Sequence, residues 1–274
     1  MKIGLIGCGN MARALARGWG RPVLCADPIA GRAQALAAEL GGEALATNAE
    51  VAARAELLVL CHKPAQLAQV AGEVGEGTTP VASILAVTPL AALRTAYPGR
   101  PVYRFVPSLP VEVRQGAVVQ AAGRAVASAA DGAAAGRVGE LAPADDPDLD
   151  AAVAALFAEL GTLVTLDDAL VDVAMGLMSC APAYVALVAE AQIDAGVRRG
   201  VPAAQGAELV VQTLAGTAEL LRRRGHDTMA VRREVSSPGG LTARGVDALE
   251  RAGLRRAFSD ALDAVLRDSP EGLR

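Results

Sequence analysis

Lysine is almost missing from this chain. Lys2 and Lys63 are its only two, and all other fixed positive charge is arginine. Chemistry that relies on a lysine beyond residue 63 is therefore excluded. Histidine is as scarce, with only His62 and His226 available as acid or base near neutral pH. Aromatic residues make up 3% of the chain, the formal net charge is −4, and no basic run is interleaved with aromatics. Nucleic acid is not expected as a partner. The four cysteines, Cys8, Cys25, Cys61 and Cys180, lie far apart with no CxxC pair, so neither a zinc site nor a redox couple is expected. The long apolar stretches are alanine-rich and interrupted by charge, and a strand-like run begins at Lys2. Neither a membrane span nor a leader is expected, and the cytoplasm is the expected compartment.

What is present is enough apolar material for ordinary cores, 52% of 274 residues, which excludes a disordered chain and suggests two domains. In the first half, short apolar runs at 2–6, 23–26, 57–61, 81–85, 102–106 and 117–121 alternate with helix-like segments. Most are apolar throughout, as in strands covered on both faces. This predicts an α/β fold, an N-terminal Rossmann-type doubly wound sheet, mainly parallel, over residues 1–166. Residues 122–150, rich in alanine, glycine and aspartate, read as a peripheral helix and loop. A helix over 151–160 and a last strand over 162–166 follow. From residue 167 to 274 the pattern is helical. Glu190, Asp194 and Arg198 form one narrow polar face, while Val211, Leu214, Ala218 and Leu221, and later Phe258, Leu262, Val265 and Leu266, form apolar faces. An all-helical second domain that pairs with another subunit is expected.

Directly after the first strand stands Gly7-Cys8-Gly9-Asn10-Met11-Ala12, a GxGxxA turn opening a helix. Gly7 permits the tight turn, Gly9 lets a pyrophosphate approach the backbone, and Ala12 allows close helix packing. The amides that follow, at Asn10 and Met11, face the phosphates. Asp27, 20 residues after Gly7, is placed to accept from adenosine ribose hydroxyls and to repel a 2′-phosphate. It tilts the NAD(P)H expectation modestly toward NADH, with Arg32 pulling the other way. Asp27 also suits a plain turn before Pro28.

A nicotinamide site needs a second component that handles the acceptor's proton. Tyrosine with lysine four residues on is absent, because Pro101, Pro107 and Val188 stand four after Tyr97, Tyr103 and Tyr184. A lysine opening the second domain is absent too. His62 and His226 lie in a strand-end turn and a polar turn, settings that suit structural or solvated histidines. What remains is an acceptor that carries its own proton, such as a cyclic iminium, for which orientation supplies most of the rate. Ser236-Ser237-Pro238-Gly239-Gly240-Leu241-Thr242 suits it: the glycines Gly239 and Gly240 expose amides to a carboxylate, and Ser237 and Thr242 offer hydroxyls. The same loop would also serve as a simple helix N-cap.

These residues resemble the pyrroline-5-carboxylate reductase family over nearly the whole chain. IGLIGCGNMARAL resembles its dinucleotide turn, Thr47-Asn48 its adenosine-side loop, His62-Lys63-Pro64 its VKP turn and 83–87 its SIAAG segment. Ala181-Pro182-Ala183-Tyr184, Glu190-Ala191, Asp194-Ala195-Gly196-Val197 and Gly200-Val201-Pro202 are similar to a helix pair of the family. VSSPGGLTARGVDALERAGLRRAF is similar to its most specific motif. The resemblance implies NAD(P)H-dependent reduction of 1-pyrroline-5-carboxylate to L-proline, the last step of proline biosynthesis. It implies carboxylate binding at Ser237, Gly239 and Gly240, with Thr242 at the ring nitrogen as the catalytic position. It places Gly7, Gly9, Asn10, Met11, Asp27, Asn48, His62, Lys63 and Pro64 against the cofactor, and it implies a homodimer that can assemble into a larger ring. No metal is implied. The chain departs from the family at Ser179-Cys180-Ala181, where GSG is usual before PAY, and at 106–110, where MPNTP becomes VPSLP. His62 stands where valine is common. These departures leave open a paralogous reductase of another cyclic imino acid; a third reading, a nucleotide-binding regulator without turnover, has the retained SPGGLT loop against it.

Overall fold

Side chains along the first strand alternate between two faces, and both faces are covered. Ile3 and Leu5 enter one buried cluster with Leu57, Val59 and Phe105, while Ile6 joins Leu58, Leu60 and Val81 in another. Strands sandwiched in this way need apolar residues at every position, which is why they carry no alternation in the sequence. The computed structural model describes residues 1–122 and 146–267. Most of the peripheral segment expected over 122–150 lies outside the described residues.

Eight strands form one sheet: β1 (Ile3–Ile6), β2 (Leu24–Ala26), β3 (Glu43–Ala44), β4 (Leu57–Leu60), β5 (Val81–Ser83), β6 (Val102–Pro107), β7 (Gly116–Ala121) and β8 (Gly161–Leu166). Their order is β3-β2-β1-β4-β5-β6-β7-β8, parallel throughout except for the β6–β7 pair. Helices α1 (Asn10–Trp19), α2 (Arg32–Leu40), α3 (Asn48–Arg54), α4 (Leu67–Val74), α5 (Leu90–Ala96), α6 (Pro147–Ala158) and α7 (Asp168–Met178) complete the unit Met1–Cys180. The sheet reverses direction of growth at β1, with β2 on one side and β4 on the other. That switch point opens a crevice at the carboxyl ends of the strands. The two-residue β3, added beside β2, was not expected from the sequence.

The few aromatic residues are concentrated where α1 and α6 meet the sheet. Phe157 stacks on Phe105 at 3.8 Å and meets Trp19 edge-on at 5.6 Å. Trp19 is buried and its indole N–H donates to the Leu156 carbonyl at 2.9 Å. Such contacts add about 0.5–1.5 kcal/mol beyond area burial. Gly18 lets α1 pass so close to the 109–113 turn that a Cβ there would overlap the Val111 carbonyl.

The second unit, Ala181–Arg267, is all helix: α8 (Ala181–Val197), α9 (Ala203–Arg223), α10 (Thr228–Val235), α11 (Leu241–Arg251) and α12 (Leu254–Leu266). Gly200, at φ +95°, turns the chain between α8 and α9, and Ile193 and Val201 pack beside Gly206 of α9. Asp227 caps α10 by accepting from the amides of Met229 and Ala230. Within one chain α8, α11 and α12 contain no buried residue, and Leu187, Leu209, Val211 and Phe258 are exposed. Asp168–Val197 is apolar and long enough to cross a bilayer by length and composition. Its first half, however, packs Val171 and Ala174 against Val106 and Val119 of the sheet.

Candidate active site

Gly7 leaves β1 at φ +95°, a conformation that L side chains rarely adopt, and a Cβ there would stand 3.0 Å from the Cys61 carbonyl and the His62 nitrogen. The turn is thus pressed against the end of β4. Gly9 differs, since nothing lies within 4 Å of where its Cβ would be. It is the N-cap of α1, no side chain caps the helix, and no acidic residue lies in the first turn. The first helical bond is made by the Arg13 amide to the Gly9 carbonyl at 3.0 Å. The amides of Asn10, Met11 and Ala12 therefore have no intrahelical acceptor and stand at the positive end of the dipole. An anion with a flat approach over Gly9, such as a pyrophosphate, satisfies them.

Asp27 follows β2 on one side of this turn. Its Oδ2 accepts from the Cys8 amide at 2.7 Å and its Oδ1 from the Ile29 amide at 2.8 Å. The carboxylate so fixes the glycine loop and its own turn together, and each oxygen keeps a further lone pair for a ligand hydroxyl. Beneath the loop the Cys8 thiol shares a hydrogen bond with Cys25, which together with burial pushes its pKa upward. It is an inert packing thiol.

His62, Lys63 and Pro64 follow β4 on the other side. The His62 Nδ1 lies 2.8 Å from the Lys63 carbonyl. A carbonyl only accepts, so Nδ1 carries the proton and Nε2 is a bare acceptor. Nε2 is buried and no group among the described residues donates to it. Burial lowers the imidazole's pKa, against smaller opposite contributions from the Lys63 carbonyl and Glu73. Lys63 is exposed, and its amide donates to Gln66 Oε1 at 3.1 Å as Pro64 opens a short 3-10 turn. Asn48 starts α3 behind its N-cap, Thr47, and its side-chain amide donates to Glu73 Oε2 at 2.6 Å. The uncapped helix, the open face of Gly9 and the unmatched acceptor of His62 together fit a dinucleotide.

Two further strand ends border the crevice. After β5, Val87 adopts φ +48°, an unusual state for a β-branched residue, at a position where the resembling segment has glycine. After β6, Ser108 is buried; its amide donates to the Ala117 carbonyl and its hydroxyl oxygen accepts from the Ala117 amide, each at 2.9 Å. The sequence reading missed Arg104, which is buried on β6 and paired with Asp168 and Asp172 of α7. An arginine inside an apolar strand, followed by two aspartates four apart on a helix, was the available signal.

In the helical unit, Gly239 adopts φ +68°, and Gly240 is the N-cap of α11 without a side-chain cap. A Cβ on Gly240 would overlap the Ser237 hydroxyl, and the Gly240 amide closes the turn onto the Ser237 carbonyl at 3.0 Å. The first helical bond runs from Arg244 to Gly240. The amides of Leu241, Thr242 and Ala243 are left free for an anion. Ser237 and Thr242 are exposed beside them. The fold thus joins Gly7, Gly9, Asp27 and His62 around one turn, and Ser237, Gly239, Gly240 and Thr242 around another. The two turns belong to different units.

Residues 168–271 match the family described as pyrroline-5-carboxylate reductase dimerisation, and residues 2–87 match the NADP oxidoreductase, coenzyme F420-dependent family. A pyrroline-5-carboxylate reductase of Thermus thermophilus is 33% identical over 280 residues, covering 99% of this chain and 98% of the relative. The chain belongs to the pyrroline-5-carboxylate reductase family. A Synechocystis member is 31% identical over 99% of this chain and 98% of its own length. A solved Streptococcus pyogenes family member superposes with a TM-score of 0.81 at 26% identity, covering 97% of this chain and 96% of that one. A Plasmodium falciparum pyrroline carboxylate reductase, solved with NADP bound, shares the fold at a TM-score of 0.80 and 21% identity, over 97% and 95% of the two chains.

Proposed function

We propose that this chain reduces 1-pyrroline-5-carboxylate to L-proline with NAD(P)H, closing proline biosynthesis. The observation that carries this reading is the start of α11, where an uncapped helix and two glycines leave three amides free beside two hydroxyls. When bound, the reduced nicotinamide supplies a hydride to the imine carbon. The amides after Gly240 and the Ser237 hydroxyl hold the substrate carboxylate, and the Thr242 hydroxyl accepts from the protonated ring nitrogen. Because the iminium already carries its proton, no side chain has to deliver one, and fixing the ring against the cofactor carries the catalysis. The amides of Asn10 and Met11 hold the pyrophosphate, and Asn48, Lys63 and Pro64 flank the nucleoside parts.

Asp27 favours NADH: a carboxylate fixed by two backbone amides repels a 2′-phosphate, while its remaining lone pairs receive ribose hydroxyls. Residues 167–274 serve dimerisation and substrate binding, with α7 rooted in the sheet, and the working unit is a homodimer, able to build a ring of dimers. Use of the reduced nicotinamide pool fits a cytoplasmic enzyme. A second reading, reduction of a different cyclic imino acid, is favoured by Ser179, Ala181 and Val87 at positions where the family motifs have glycine. Following NADH and NADPH oxidation with five- and six-membered cyclic imino acids separates the two. Rapid proline formation is the expected result; brisk turnover of a six-membered ring alone moves the assignment to the second reading.

A further inference from the structure

We propose that the His62 Nε2 is the acceptor for a ribose hydroxyl of the bound dinucleotide, which makes His62 a specificity-determining residue of the cofactor site. The inference rests on the dinucleotide reading of the Gly7–Gly9 turn. Three observations lead to it. His62 stands where β4 ends, with its backbone nitrogen 3.0 Å from the missing Cβ of Gly7, so it belongs to the wall of the switch-point crevice. Its tautomer is fixed by the Lys63 carbonyl at 2.8 Å, which leaves Nε2 able only to accept. That acceptor is buried, and no described residue donates to it.

Buried acceptors are satisfied in nearly all proteins, and an unsatisfied one demands an explanation. Among the described residues none supplies a donor. Glu73 of α4, whose charge acts on the ring, is itself an acceptor, already engaged by Asn48 at 2.6 Å and Gln69 at 2.8 Å. A neutral donor arriving with the ligand is what the site lacks, and the hydroxyls of a dinucleotide's two riboses are the donors that enter this crevice. Nε2 is closed to solvent in the free chain, and among the described residues one side-chain hydrogen bond holds the ring, so turning the side chain is enough to present the acceptor to an entering ligand. A valine at this position, common in the resembling family, offers no such acceptor. The consequence is a cofactor site in this chain that reads a sugar hydroxyl where an apolar contact is usual.

The test uses the full chain and equilibrium binding, followed by NADH fluorescence, with His62→Val and His62→Gln beside the wild type. Removing the acceptor should weaken NADH binding about tenfold, while glutamine, which retains an acceptor, should recover most of it. The free His62→Val protein should melt higher than the wild type, because an unpaired buried acceptor has gone. Dinucleotides lacking single hydroxyls on the nicotinamide or the adenosine ribose identify the partner: one of them should bind the wild type about tenfold more weakly than NADH and show no such loss against His62→Val. Equal binding of NADH and of every deoxy analogue by the wild type overturns the proposal, and this arm needs no variant to fold. Failure of the wild type to bind either NADH or NADPH would overturn the dinucleotide reading with it, so the two failures are distinct.

Discussion

Arg104 and Asp172 form an ion pair inside the protein, with Nη2 and Oδ1 2.5 Å apart and both side chains buried. The same guanidinium reaches Asp168 at 2.8 Å, and Asp168 in turn accepts from the Leu90 amide at 3.0 Å. One cation thereby ties β6, the start of α5 and the root of α7. Arg104→Met should lower stability by about 3–5 kcal/mol, because it leaves buried carboxylate unpaired. Arg104→Met combined with Asp172→Leu should recover a large part of that loss, since an apolar replacement of both partners removes the unpaired charge. Denaturant titrations of the single and double variants check this, and a double variant weaker than the single one would count against it.

Two glycines of α1 and its cap should fail in opposite ways. Gly18→Ala drives a methyl into the Val111 carbonyl and should destabilise the fold by about 1–3 kcal/mol. Gly9→Ala meets open space, so the melting temperature should hold while NADH binding falls at least tenfold, about 1.4 kcal/mol or more. Thermal melts and NADH titrations on the two proteins decide the matter.

Thr242→Ala removes one exposed hydroxyl from the first turn of α11 and should leave the fold intact. Loss of a hydrogen bond to the iminium costs about 1.5 kcal/mol, so kcat/KM for the cyclic imine should drop about tenfold. An unchanged kcat/KM would remove Thr242 from the substrate site.

Val87 holds a positive φ that a β-branched side chain resists. Val87→Gly should raise stability by about 1 kcal/mol, the released backbone strain outweighing the packing that the isopropyl group provides. A drop in the denaturation midpoint would mean that the valine's packing outweighs its backbone.

Asp27→Ser should narrow the gap between NADH and NADPH by relieving repulsion of the 2′-phosphate. Parallel KM measurements for both cofactors in wild type and variant test it. A wild type that prefers NADPH would show that Arg32 or the uncapped start of α2 outweighs the carboxylate.

The central strands were legible because burial on both faces forces unbroken apolar runs, as at Leu57–Leu60. The glycine turn was legible because backbone geometry there admits few other residues. β3 was not, since a two-residue edge strand holding Glu43 carries no pattern. Nor was the ion pairing of Arg104, or the unmatched Nε2 of His62: composition marks a charge or an imidazole, but only folding decides whether a partner meets it. Asp27 suits both a ligand contact and a turn in the sequence, and its double engagement shows that the two are compatible. One carboxylate is anchored by the turn and still presents lone pairs.

The bare helical faces of the second unit carry a consequence for how this protein holds together at all. With no buried residue in α8, α11 or α12 inside one chain, that unit leaves its apolar faces to the second chain of a homodimer. Folding of the region is then a bimolecular event, and its free energy depends on protomer concentration. Dilution acts on it as a denaturant would, and the melting midpoint climbs as the protein is concentrated.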